Sequence, residues 1–241
     1  MKRFICVLYL SIGLFPAYTQ TITADSIFNN FYAATGGKAK WDSVETFLIR
    51  QQYRSGSAND FDLEVRGSIP LQGLLRIRTI MRRDFIQGIR ANDGWLKVPI
   101  GSRDKVTQFQ TSDLSNNERE NMRRELRDLL PFANYTQKGY IATVVGTENI
   151  NNRPAHHVEL SGQGIRYNLF FDTQSGLLVR ERVTLPTNEV QTRDHTKYDT
   201  TKYGLSYPSE GTFVSSIDRR TVRVATTADF NVKLPDDSFV R

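Results

Sequence analysis

The residues of this 241-residue chain whose types could carry chemistry are three histidines and a few spaced carboxylates. His156 and His157 are adjacent in a segment, Ala155 to Leu160, that alternates like a strand. Strand neighbours point to opposite faces, so the pair cannot chelate one ion together. His195 follows Asp194, and the same opposition applies to them. A zinc site would need the fold to gather these histidines with a carboxylate. Asp60, Asp62 and Glu64 alternate along one strand face, a spacing that could hold a cation or supply paired carboxylates. A solvated acidic edge that deters sheet-to-sheet association explains them more cheaply. Gly162-Gln163-Gly164 lacks the third glycine and the following helix of a dinucleotide loop, and reads as a hairpin turn. The chain contains no Gly-x-Ser-x-Gly elbow, which disfavours that class of serine hydrolase. The expectation is a protein that is not an enzyme and holds no cofactor or metal.

The N-terminus points to export. Lys2 and Arg3 precede an apolar run from Phe4 to Phe15 and a small-residue exit around Ala17-Tyr18-Thr19, the layout of a secretory signal peptide over residues 1–19. The run is too short to span a bilayer, which takes roughly 20 apolar residues. Cys6 lies inside the apolar core, not at a cleavage point, so it is not a lipid attachment site. Cleavage would remove two of the 32 basic residues and none of the 26 acidic ones, changing the net charge from +6 to +4. That mildly basic balance does not point to nucleic acid. Cys6 is the only cysteine, so the mature chain has no disulfide framework and no thiolate nucleophile. Residues 20–241, about 220 of them, suffice for a single domain with a substantial core.

The elements that must position these residues are two helices and many short strands. Ile27, Phe28, Phe31, Tyr32 and Ala34 recur at spacings of three and four, predicting a helix from about Ala24 to Thr35, capped by Thr23 and ended by Gly36-Gly37. A short turn carries Trp41. Ser115-Asn116-Asn117-Glu118 is a capping box that starts a second helix running to about Leu130 and stopping at Pro131. Its apolar stripe, Met122, Leu126, Leu129 and Leu130, is narrow, so this helix must lie on something. Elsewhere the apolar period is two, with polar turns between runs of five to eight residues. From Gly73 to Arg83, Leu75, Ile77, Thr79 and Met81 alternate with Leu74, Arg76, Arg78, Ile80 and Arg82. Asn92-Asp93-Gly94 marks a hairpin ahead of Trp95. The pattern predicts a mainly β (α+β) fold. In it, an antiparallel meander of about ten strands curls into a half-open barrel under a helical lid.

The chain resembles the LolA/LolB-like outer-membrane lipoprotein-sorting family. The matching stretches are Ile27-Phe28-Asn29-Asn30-Phe31-Tyr32-Ala33-Ala34-Thr35-Gly36-Gly37 with Trp41, the Asp93-Gly94-Trp95 turn, and Leu129-Leu130 before Asn134-Tyr135. Further matches are Arg153-Pro154-Ala155-His156-His157-Val158, Phe170-Phe171-Asp172-Thr173-Gln174-Ser175-Gly176-Leu177-Leu178-Val179 and Phe230-Asn231-Val232-Lys233-Leu234-Pro235-Asp236. Most of these are turns and helix punctuation, so they bear on the fold more than on cargo. The resemblance implies a monomeric periplasmic carrier that shields the acyl chains of a lipid or lipoprotein between sheet and lid. Inner-membrane donor and outer-membrane acceptor proteins would be its partners. Under that resemblance the candidate lining residues are Phe28, Phe31, Leu75, Ile77, Met122, Leu126 and Leu130. The same residues could instead form a filled core, leaving a cell-envelope interaction module. The family closes its lid partly through a sheet arginine, and Arg66, Arg76, Arg78 and Arg82 compete for that role. Those arginines would lie either at the cavity rim or on the solvent face.

Overall fold

The computed structural model describes residues 22–57, 60–101 and 107–241; the expected leader at 1–19 lies outside them. The chain opens with helix α1, Ala24–Ala34, and a short α2, Lys38–Asp42. Six strands follow: β1 Thr46–Arg54, β2 Phe61–Ser68, β3 Gly73–Ile80, β4 Arg83–Arg90, β5 Asp93–Ile100 and β6 Gln108–Asp113. Helix α3, Asn116–Arg127, precedes β7 Ile141–Ile150, β8 Arg153–Gly162, β9 Ile165–Asp172 and β10 Leu178–Thr184. β11 Val190–Thr200, β12 Ser206–Ser215 and β13 Val222–Phe230 complete the sheet.

All thirteen strands belong to one antiparallel sheet, ordered β6-β5-β4-β3-β2-β1-β13-β12-β11-β10-β9-β8-β7. Two meanders therefore meet where β1 pairs with β13, Phe47 opposite Phe230. β6 and β7 end up at opposite edges although only α3 and its following segment separate them in sequence. That connection has to cross the sheet, which is why α3 lies over the concave face.

The count exceeds the expected ten or so because two features are quiet in sequence. The stretch Gly73 to Arg83 breaks at Met81-Arg82, where both residues have positive φ, 49° and 64°. A two-residue hairpin needs that geometry, but asparagine or glycine normally announces it. β6 is exposed at every position, so it carries no apolar alternation to read.

Both predicted caps form. The Thr23 side chain accepts from the Ser26 amide, and Ser115 accepts from the Glu118 amide while the Glu118 carboxylate accepts from the Ser115 amide. α3 ends at Arg127, a turn earlier than its apolar stripe suggested. Two glycines allow close packing on the concave side. A Cβ on Gly67 would fall 2.1 Å from the ring of Phe47, its cross-strand partner. Gly36 has φ +109° and no room for a side chain, its Cβ direction ending 2.3 Å from the Gly204 carbonyl oxygen. This contact seats the α1 exit on the turn between β11 and β12, and the Ser206 amide donates to the Thr35 carbonyl at 3.1 Å.

The interior is divided. At the β7–β10 end, α1 buries Ile27, Phe28 and Phe31 against Val158, Leu169 and Phe171. At the β1–β5 end, Met122 and Leu126 of α3 pack with Leu74, Ile89 and Leu114. A third cluster, Leu75, Trp95 and Phe239, lies on the other face of β3 from Leu74, with Ile77 and Leu234 beside it. The C-terminal segment thus covers part of the convex face.

Candidate functional site

Helix α3 is clamped to the sheet at several points. Arg76 of β3 pairs with Glu125 through two contacts, Nε to Oε1 at 3.2 Å and Nη2 to Oε2 at 2.6 Å. Arg123 donates to the Ala91 carbonyl at 2.9 Å. Asp128, the residue that caps the helix C-terminus, is almost fully buried. It accepts from the Tyr140 hydroxyl at 2.8 Å and faces Lys138 Nζ at 3.3 Å. Burial pulls the Lys138 ammonium below its ordinary range, and the Asp128 carboxylate opposes that. Beyond Asp128 the chain runs as a roof through Leu129 and Leu130 to Phe132. The Phe132 ring joins those of Phe28, Phe31 and Phe171 at centroid distances of 4.9, 5.1 and 5.5 Å.

Two cavities lie beneath this roof, of about 200 Å³ and about 510 Å³. Both are lined by Ile49, Gln51, Leu129, Glu181 and Arg193, so they meet on the same floor. The smaller is apolar at its far end, where Phe31, Trp41, Leu130, Leu178, Val224 and Phe230 face it. The larger adds charged groups from α3 and the sheet, including Arg76, Arg124 and Glu125. The continuous trough is therefore amphipathic along its length.

The shared floor is polar. Glu181 of β10 and Arg193 of β11 are directly opposed in register, yet their charged ends do not close into an ion pair among the described residues. Arg193 lies over the Phe213 ring, 5.0 Å from its centroid, and beside Tyr53, whose hydroxyl donates to Gln51 Oε1 at 3.0 Å. His195, on the same face of β11, sits edge-on to Tyr198 at 6.5 Å, and Tyr198 donates to the Leu178 carbonyl at 2.8 Å. These side chains are crowded by protein on nearly every side, and their remaining exposed surface is the trough.

Crowding sets their protonation. Burial raises the Glu181 carboxyl above the usual carboxylate range, with Arg193 pulling it back in part. For Arg193, burial opposes the charge, but the Tyr53 oxygen and Glu181 more than offset it, so the guanidinium stays protonated. His195 drops from 6.5 to about 4, through burial first and the Arg193 charge second, and is neutral near pH 7. Burial also raises the Tyr198 phenol.

Of the residues predicted to line the cavity, Phe31 and Leu130 face the trough. Phe28 is buried in the aromatic cluster under the roof, while Met122 and Leu126 are buried between α3 and the β1–β5 wall, away from both cavities. Leu75 and Ile77 are on the convex face, where Phe239 and Leu234 pack beside them, and each of the two predicted residues borders a separate surface hollow edged by charged side chains, outside the trough. The reason is strand alternation: Leu74 and Arg76 point inward. The arginines divide as well. Arg76 faces the larger cavity, Arg78 stacks on the Phe61 ring at 4.0 Å, and Arg66 pairs with Glu64 on the convex side.

The acidic stretch is not a sheet edge, because β2 lies between β1 and β3. Glu64 meets Arg50 and Arg66, Asp62 meets Arg54, and Asp60 accepts from the Ser55 and Ser57 amides in a turn. His157 is held by Glu148 at 2.6 Å and Asn168 at 2.9 Å and stacks on Phe170, on the opposite face from His195. Among the described residues, no group of three or more histidines, cysteines or carboxylates could hold a metal ion. Glu181 and Arg193 were missed as site residues, and His195 was weighed only as a metal or catalytic candidate. Period-two reading could have found them, since Glu181 shares a face with buried Val183, and Arg193 with Gln191 and His195.

No family model and no curated protein sequence matches the chain. Solved structures do. A LolA superfamily protein from Nitrosomonas europaea superposes with a TM-score of 0.54 at 14% identity, covering 91% of this chain and 98% of the other. The fold is a LolA-like half-barrel. An outer membrane lipoprotein-sorting protein domain from Vibrio parahaemolyticus gives 0.51 at 14% identity, over 89% of this chain and 94% of its own. A DUF1329 family protein from Desulfovibrio piger gives 0.53 at 9% identity, over 89% and 96%. At these identities the likeness is one of fold. The LolA-like half-barrel here has a charged floor and a β7–β10 end filled by α1.

Proposed function

We propose that the protein is a non-enzymatic carrier of the cell envelope that takes up the acyl chain of a lipid or lipoprotein in the trough beneath α3 and the Leu129–Phe132 roof. Export by the N-terminal leader would place it in the periplasm. The observation that carries this reading is the trough itself, apolar at its Trp41 and Phe230 end and roofed by the Leu129–Phe132 segment. Burying a methylene is worth about 0.8 kcal/mol, so even part of an acyl chain gains several kcal/mol there. The two cavities together fall within the range of about 300–1,000 Å³ common for small-molecule sites.

A second reading, an envelope interaction module, draws on the β7–β10 end, where α1 and Phe132 leave the half-barrel filled. One titration separates the two. The carrier reading expects saturable, one-to-one binding of 11-dansylaminoundecanoate with a blue-shifted emission. Val224→Trp, which projects an indole into the apolar cavity, is expected to weaken it by at least about tenfold, or about 1.4 kcal/mol. Absence of saturable uptake by the unaltered protein would favour the module.

A further inference from the structure

The carrier reading leaves open which part of an amphiphile meets the charged floor. An acyl chain alone would not need Arg193, because a cation beside an apolar cavity is costly unless an anion or several hydrogen bonds compensate it. On the floor that compensation comes from neighbouring groups and not from a paired carboxylate. Tyr53 supplies one neutral oxygen, and the opposed Glu181 forms no ion pair with Arg193 among the described residues. Across the trough, Arg124 of α3 lines the larger cavity and has no ion-pair partner among the described residues, whereas its neighbours Arg76 and Glu125 satisfy each other. The other carboxylate at that end, Asp128, is taken up by Lys138 and Tyr140. Two guanidinium groups without an ion-pair partner among the described residues therefore face one polar compartment that opens onto an apolar one.

We infer that the ligand is a single-chain amphiphile with an anionic oxyacid head. Its chain lies in the apolar cavity toward Trp41 and Phe230, and its head lies against Arg193, with Arg124 closing from the lid. This rests on the carrier reading and adds the chemistry of the head. Size favours one chain, since the apolar cavity of about 200 Å³ is only slightly larger than an engineered void of about 150 Å³ that holds a benzene ring. Burial keeps His195 neutral, so Arg193 is the cationic group that the floor presents to the trough. Arginine also suits the task, because its planar fork meets carboxylate or phosphate oxygens with two parallel bonds.

Calorimetric titration with dodecanoate, dodecanol and dodecyltrimethylammonium, all below their micelle concentrations at neutral pH, holds the chain constant and changes only the head. The inference expects dodecanoate to bind at least about tenfold more tightly than dodecanol, with the ammonium weakest. Arg193→Gln should bring dodecanoate down to the dodecanol level while leaving dodecanol unchanged. Adding 1-dodecanoyl-lysophosphatidylglycerol distinguishes the source of the anion. Tighter binding than dodecanoate assigns a phosphodiester head, and weaker binding assigns a carboxylate. Equal affinity for dodecanoate and dodecanol in the unaltered protein would overturn the anionic head and leave the carrier standing, without relying on any variant folding. No binding of any of the amphiphiles would remove the carrier reading itself.

Discussion

Truncating Met122 to alanine separates a lid that is core from a lid that is cavity wall. The Met122 side chain is 2% exposed and is enclosed by Leu74, Ile89, Leu114 and Leu126. Met122→Ala deletes three heavy atoms from that enclosure, and such substitutions cost about 2–5 kcal/mol, the spread reflecting how far the site collapses. The Arg76–Glu125 and Arg123–Ala91 contacts hold α3 in place and limit collapse, so about 3 kcal/mol is expected. For a chain of this size each kcal/mol shifts Tm by about 2–4 °C, giving a fall of roughly 6–12 °C. Met122 lines neither cavity, so the affinity for 11-dansylaminoundecanoate, measured well below Tm, should change by less than about twofold, or about 0.4 kcal/mol. Thermal melts by circular dichroism and fluorescence titration on the same preparation read both quantities. A Tm near that of the unaltered protein together with a large loss of binding would refute the reasoning, because Met122 would then be wall and not core.

Three further expectations follow from the same contacts. Asp128→Ala leaves Lys138 buried without its partner and should cost about 3–5 kcal/mol in urea unfolding; a near-neutral result would mean that the roof is not anchored there. Arg76→Gln breaks a pair whose side chains are 37% and 33% exposed, so solvent screening limits the stability loss to less than about 1 kcal/mol. Amide exchange across Asn116–Arg127 should nevertheless quicken, and unchanged exchange would show that the pair does not hold the lid. His195 is neutral when folded, with its pKa lowered from 6.5 to about 4. Its contribution is therefore fully present above about pH 6.5 and is lost as pH falls toward about 4, by up to about 3 kcal/mol. Glu181, raised by burial, acts in the opposite sense on acidification, so the comparison must be with His195→Gln, in which Glu181 is unchanged. Parallel pH-stability curves for the two proteins would contradict the burial of His195.

Much of the architecture is legible in the residues because local physics writes it plainly. Thr23 announces its helix as an N-cap and Ser115 through a capping box, and the apolar spacing from Ile27 to Tyr32 gives the buried face of α1. Alternation with polar turns gives the antiparallel meander. The hairpin before Trp95 is also visible, although its two turn residues are Ala91 and Asn92, with Arg90 paired to Asp93. What stays hidden depends on contacts distant in sequence. Gly73 to Ile80 presents an apolar face and a mixed cationic face, and ordinary reasoning turns the apolar one inward. Here Phe239, more than 150 residues away, covers Leu75 from outside, and Glu125 of α3 neutralises Arg76 inside. The floor of the trough is hidden for a similar reason. Glu181 and Arg193 stand among other charged residues, Arg180, Arg182 and Asp194, and only the curl of the sheet shows which of them are enclosed.

The central claim is that the trough holds an acyl chain, and native mass spectrometry of the protein purified from its own cells tests it most directly. The account predicts a population heavier than the bare chain by the mass of a single-chain acylated molecule, released by organic extraction and identifiable from the extract. A bare mass in every charge state, combined with failure to take up dodecanoate added in excess, would contradict it and move the function to the outer surface of the sheet.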